Sequence, residues 1–186
     1  MKQTMPAAAA LVLIVASASA NAAVYEASFE NNLGAQTIAN SITPVDSLVM
    51  SGLLTSGAGS VINSTTFTTG VGVQTVSLDA VWRSGAAGDT LRLVGVNIDL
   101  LDSSNAVIAS DAFSGVLNGF AHSSVDFGGL IAGSVYTIRL TGTNTNVGQY
   151  LVDASFASVP LPVTVSMLIP ALIGLGALSR RRSLRA

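Results

Sequence analysis

Three residues of this 186-residue chain combine a binding-competent side chain with a context that gives it a use: Trp82, Asp99 and Asp102. An indole has a broad apolar face and one polar edge, the shape on which a sugar ring stacks. The alternation around it puts Trp82 on the same side as Val76, Leu78 and Ala80, so a core or strand-end place is the stronger reading. Asp99 and Asp102, with Asn97 and Asn105, carry the oxygens that calcium takes. They lack the regular Asp-x-Asp-x-Asp-Gly spacing of a calcium loop, and strand-end and turn usage accounts for them without an ion. Calcium is the one cofactor these residues bring to mind, and none is assigned. His122 is the only histidine and there is no cysteine. Neither a zinc site nor a Ser/His triad is therefore supported, and His122 reads as a loop residue beside Asn118-Gly119. Glycoside hydrolysis needs two carboxyl groups facing one bond. Both glutamates, Glu26 and Glu30, fall near one end of the domain, and no aspartate has a context specific to a hydrolytic acid. No catalytic residue and no metal ligand are assigned, and no enzymatic activity is expected.

Strands would have to position these side chains. No window sustains a 3.6-residue apolar period, whereas period-two alternation recurs. Over 74–82, Val76, Leu78, Ala80 and Trp82 oppose Thr75, Ser77 and Asp79. Over 91–101, Val94, Val96, Ile98 and Leu100 oppose Gly95, Asn97 and Asp99. Over 134–143, Tyr136, Ile138 and Leu140 oppose Thr137, Arg139 and Thr141, and over 149–157, Tyr150, Val152, Ala154 and Phe156 oppose Asp153 and Ser155. One apolar and one polar face per strand is the mark of half-buried antiparallel sheets, two of which can bury each other. Further strands are expected over 24–29, 47–54, 61–67 and 106–113, with a short one at 125–127. Asn118-Gly119, Ser84-Gly85 and Gly128-Gly129 are turn signals. The expectation is an all-β domain of eight or nine strands, an antiparallel β-sandwich of jelly-roll type, over 23–158.

Charge narrows the partners. All ten acidic residues lie between Asn21 and Val159, against only Arg83, Arg92 and Arg139. Such a domain repels phosphate backbones, so no nucleic acid is expected as a partner. Without cysteine, stability must come from a packed core, and about 139 residues suffice to build one.

The two ends differ from this domain. Lys2, the apolar run 7–16, and the small-residue sites Ala18-Ser19-Ala20 and Ala20-Asn21-Ala22 form a secretory signal peptide over 1–22. The mature chain is expected to begin between Asn21 and Val24, after passage through export machinery and a signal peptidase. At the other end, Val159, Pro160, Leu161 and Pro162 precede an uncharged apolar run, 163–178, and then Arg180, Arg181 and Arg182. As a helix this run spans roughly 24 Å, somewhat short of the ~30 Å hydrocarbon core. Pro170 weakens it, although membrane helices tolerate proline. The arginines act as a cytoplasmic stop by the positive-inside rule.

This tail, a Val-Pro-Leu-Pro motif, a membrane segment and an arginine cluster over 159–186, resembles the PEP-CTERM sorting signal of Gram-negative bacteria. Leu161 stands where that family's usual glutamate would be, and Gly174-Leu175-Gly176-Ala177-Leu178 matches its Gly-Leu-rich end. The resemblance implies an exosortase-type membrane enzyme as partner and transient anchoring in the inner membrane. It implies a final place at the cell surface, the outer envelope or the extracellular matrix. It also implies a structural or adhesive role linked to exopolysaccharide or biofilm. A displayed carbohydrate-binding module, with polysaccharide as partner, is the alternative. Leu161-Pro162-Val163-Thr164-Val165 is also similar to a sortase signal, but Val165 replaces the glycine that reaction needs. A looser likeness, from Asn97 to Asn105 and from Gly129 to Thr137, is to the closing strands of bacterial secreted sandwiches.

Overall fold

The computed structural model describes residues 21–85, 88–90, 92–112 and 119–158. Residues 1–20 of the expected signal peptide over 1–22, the motif Val159, Pro160, Leu161 and Pro162, the apolar run and Arg180, Arg181 and Arg182 lie outside them. The domain is all-β. Its strands are β1 (Val24–Phe29), β2 (Leu33–Ile42), β3 (Ser47–Leu54), β4 (Gly59–Thr69), β5 (Thr75–Arg83), β6 (Leu93–Leu101), β7 (Val107–Ala112), β8 (Phe120–Gly128), β9 (Val135–Asn144) and β10 (Gly148–Ala157). They form two five-stranded sheets, ordered β1-β3-β10-β5-β8 and β2-β4-β9-β6-β7, consistent with a β-sandwich.

From β3 onward the pairing is nested. β6 pairs with β7, β5 with β8, β4 with β9 and β3 with β10, all antiparallel. The chain is thus one long hairpin folded about the turn at Asp102, with successive strand pairs falling to alternate sheets. Both sheets are mixed, which corrects the purely antiparallel expectation: β1 runs parallel to β3 and β2 parallel to β4. Parallel neighbours need a long crossover. Here each crossover is a strand of the opposite sheet, β2 between β1 and β3, and β3 between β2 and β4.

The alternating apolar faces meet between the sheets. Val76, Leu78, Ala80 and Trp82 of β5 and Tyr150, Val152, Ala154 and Phe156 of β10 are all buried. They face Ile98 and Leu100 of β6 and Tyr136, Ile138 and Leu140 of β9, equally buried. Phe67 is fully enclosed, edge-on to Phe156 at 5.2 Å between ring centroids and tilted against Tyr136 at 6.1 Å. Such aromatic contacts add about 0.5–1.5 kcal/mol each beyond the burial itself.

Two further expectations are corrected. There are ten strands among the described residues, not eight or nine, because β2 went unforeseen. It is an edge strand, exposed or half-buried along its length until Ile42, and its pairing with β4 slips between Thr37 and Ser41. With so little of it buried, nothing enforces an apolar alternation. The second is the short strand at 125–127. β8 runs from Phe120 to Gly128, and His122 lies on it rather than in a loop. Its inward positions are Ala121, Ser123 and Val125, too small and polar to register as a core face. Ser123 donates to Asp111 of β7, tying the two sheets along that edge.

The ends of the domain share one pole. Val24 pairs with Ser47, and Ser47 with Ser155. The start of β1 and the finish of β10 therefore leave from the same end of the first sheet.

Candidate functional site

Each singled-out side chain has a definite structural place. Trp82 lies on β5 between Tyr150 of β10 and Ala121 of β8. It is 1% exposed, so its ring presents no face to solvent.

Asp99 stands on the outer side of the second sheet, where alternation predicts, yet it is only 3% exposed. Arg139 lies directly across on β9 and Ser110 directly across on β7. Arg139 reaches Asp99 Oδ2 through Nε at 3.1 Å and Nη2 at 2.6 Å. Asn97 Nδ2 donates to Oδ1 at 2.8 Å, as does the Ser110 hydroxyl at 2.7 Å. Both carboxylate oxygens are spent on protein donors.

Asp102 closes the β6–β7 turn. Its Oδ1 accepts from the backbone N–H of Ser104 at 2.8 Å, the Ser104 hydroxyl at 2.7 Å and the N–H of Ala106 at 3.0 Å. Asn105, at φ 63°, takes the left-handed conformation the turn requires, one that asparagine tolerates better than most residues. The Ser104 hydroxyl first, and then the two backbone donors, hold the Asp102 carboxyl below its ordinary value. Asp99 and Asp102 thus belong to two separate arrangements, a cross-strand ion pair and a turn cap. Among the described residues no group of three or more ligating side chains could hold a metal ion.

The structure brings together others that the sequence did not single out. On the outer side of the first sheet, Glu26, Val49, Asp153, Asp79 and Ser124 form one row across five strands. Asp79 and Asp153 are direct cross-strand partners, a like-charge pairing that costs stability. His122 Nε2 is 3.4 Å from Asp79 Oδ1, with both side chains more than half exposed. A carboxylate pair with an imidazole beside one member has the elements of acid–base chemistry, but these side chains stand on an open face where water screens them. A shallow depression of about 470 Å³ opens on the same side toward the terminal pole, over Thr75, Ser77, Asp126, Ser155 and Ala157. There Ser77 donates to Asp126 Oδ1 at 2.5 Å. The alternation had put Asp79 and Asp153 on polar faces, but only the pairing of β5 with β10 sets them opposite each other.

Two buried polar groups complete the picture. Inside the sandwich, Asn63 Nδ2 donates to Tyr150 Oη at 3.0 Å. Burial pushes the Tyr150 phenol upward, opposed only in part by that bond. At the terminal pole Asp46, 4% exposed, anchors the β2–β3 loop. Its Oδ2 accepts from the Thr43 N–H at 2.6 Å and hydroxyl at 2.8 Å, and its Oδ1 from the Ala23 N–H at 2.8 Å. Burial raises the carboxyl and these bonds together outweigh it, leaving Asp46 below its ordinary value. The Thr43-Pro44-Val45-Asp46 spacing is a turn signal that could have marked this residue. A scan of the chain against protein-family models finds no match, and neither does a search of curated proteins.

Proposed function

We propose that this chain is an exported surface protein whose two ends carry its address and whose sandwich is a structural or adhesive body in the outer envelope or extracellular matrix. The observation that carries the reading is the tail: Val159-Pro160-Leu161-Pro162, an uncharged run, and Arg180, Arg181 and Arg182. The signal peptide at the other end supports it, since a sorting tail is of use only on an exported chain. The partners are the export machinery, a signal peptidase, an exosortase-type membrane enzyme and, until processing, the inner membrane. We further infer that β3 to β10 form a jelly roll, because the four nested antiparallel pairs fall alternately to the two sheets, as in a hairpin wound on itself.

The role is non-enzymatic in this reading. Asp99 and Asp102 have structural employment, and the row around Asp79 and Asp153 stands exposed on an open sheet face. Trp82, inside the core, lends no support to sugar stacking. What the face offers is acidic and hydroxyl side chains interspersed with Leu53 and Leu151 on a broad sheet, suited to an extended polymer rather than to one small ligand.

The test is the intact mass of the protein recovered from its own cell surface, with and without the sorting enzyme. A C-terminus between residues 159 and 164 that depends on that enzyme is expected. A tail still ending at Ala186 would make the protein a single-pass anchored domain and overturn the sorting reading.

A further inference from the structure

We infer that removal of the leader after Ala22 creates a half-buried ion pair, with the new α-ammonium of Ala23 seated on the carboxylate of Asp46. The inference rests on the export reading and names the processed end that reading leaves open. Of the two small-residue sites, Ala18-Ser19-Ala20 would start the mature chain at Asn21 and Ala20-Asn21-Ala22 would start it at Ala23.

Only the second start would place an α-ammonium on Asp46. Asp46 is 4% exposed, and the described ion pairs, His122 with Asp79 and Arg139 with Asp99, leave it without a countercharge. Its partners are neutral N–H and O–H groups of Thr43 and the N–H of Ala23. These neutral donors already hold the Asp46 carboxylate charged, and an ammonium at Ala23 would add an opposite charge to them. Ala23 nitrogen already stands 2.8 Å from Oδ1, and its carbonyl accepts from Ser47 N–H at 3.0 Å, which fixes the residue at the head of β1. Hydrolysis of the Ala22–Ala23 bond consumes one water. Ala22 leaves as a carboxylate, and the Ala23 nitrogen keeps its proton and gains two, becoming an ammonium in place. A neutral donor then becomes a charged one with three protons, and such bonds are about twice as strong. Cleavage two residues earlier leaves Ala23 an amide. The leader's departure would thus lock β1, an edge strand held on one side by β3.

The titratable side chains on the strands around Asp46 are Tyr25 and Glu26 on β1 and Tyr150 and Asp153 on β10; β2 and β3 carry none. An α-amino group that gains a carboxylate partner has its folded value raised above the unfolded ~7.7–8.0. The stabilisation is complete below that unfolded value and is lost as pH rises through the folded one.

The experiment exports the full-length chain and recovers the mature protein for N-terminal sequencing and for thermal unfolding at about pH 6 and about pH 10. Ala22→Leu blocks the second site, leaves the first, and supplies an Asn21-start control. The unmodified chain is expected to begin at Ala23 and to lose roughly 3–6 °C more Tm between the two pH values than the control. Asp46→Asn should abolish that excess. If Asp46→Asn fails to fold, the comparison of the two starts decides alone. A natural start at Asn21, or an Ala23 start with the control's profile, overturns the inference while the export reading stands. A chain that keeps Met1 brings down both.

Discussion

At the scale of single residues, the aspartates of this domain owe their behaviour to the donors around them. Asp46 is held below its ordinary value, so the stability it contributes is present above the unfolded carboxylate value near 3.9 and is lost as pH falls through the lower folded one. Urea unfolding between about pH 5 and about pH 2 should show that loss, and Asp46→Asn should flatten this acid limb while costing about 2 kcal/mol at neutral pH. Asp102 shifts in the same direction and adds to the same limb. Asp99 depends instead on a cation. Arg139→Ala leaves it enclosed with only Asn97 and Ser110 as donors, and about 3 kcal/mol of destabilisation is expected, measurable as a lower urea midpoint with an unchanged slope. Asp99→Asn should cost less, because Arg139 is one-third exposed and water can take over its donors. The exposed pair has the opposite sign: Asp79→Asn relieves repulsion across β5 and β10 and should stabilise by a few tenths of a kcal/mol, less in high salt.

At the scale of elements, alternation was a good guide where a strand has one face fully buried and a poor one elsewhere. β5, β9, β10 and, from Val96 onward, β6 were legible because Trp82, Ile138, Phe156 and Leu100 repeat the inward choice at every second position; before that the ladder slips between Val94 and Asn97, and Leu93 is buried where alternation had put Val94. β2 was illegible because an edge strand carries no such demand, and β8 because its inward row holds Ser123, whose partner on β7 only the fold supplies. Pairing was hidden as well. Nothing in 74–82 or 149–157 says that they are neighbours, so Asp79 opposite Asp153 could not be read, and neither could the hold of Arg139 on Asp99. Asp46 was missed for another reason, since its value lies in the distance to Ala23, a contact across two strands' worth of chain. Element pairing also explains Gly52. It stands directly across from Tyr150, and a Cβ there would fall on the phenol ring. The ring in turn carries its hydroxyl to Asn63. Tyr150→Phe keeps the packing but leaves the buried Asn63 amide without its acceptor, and a loss of about 1–2 kcal/mol in urea unfolding is expected.

At the scale of the whole molecule, the two sheets share the work unequally. The second sheet holds the Asp99–Arg139 pair on its outer side, while the first carries the acidic row and both chain junctions. β10 ends beside the start of β1, so under the proposed export reading the leader and the tail would hold the precursor to the membrane by one pole. The same placement has a mechanical meaning. β10 is the middle strand of its sheet, with β3 on one flank and β5 on the other, and inter-strand hydrogen bonds lie across the strand axis. Tension entering through Ala157 along β10 would load both ladders in shear, so that many bonds must yield together. Pulling the edge strand β8 sideways would instead break its bonds one after another. In a single-molecule stretching experiment the first geometry should rupture at clearly higher force than the second. If force reaches the domain through its C-terminal end, the strand that bears the load is the one the sheet grips from both sides.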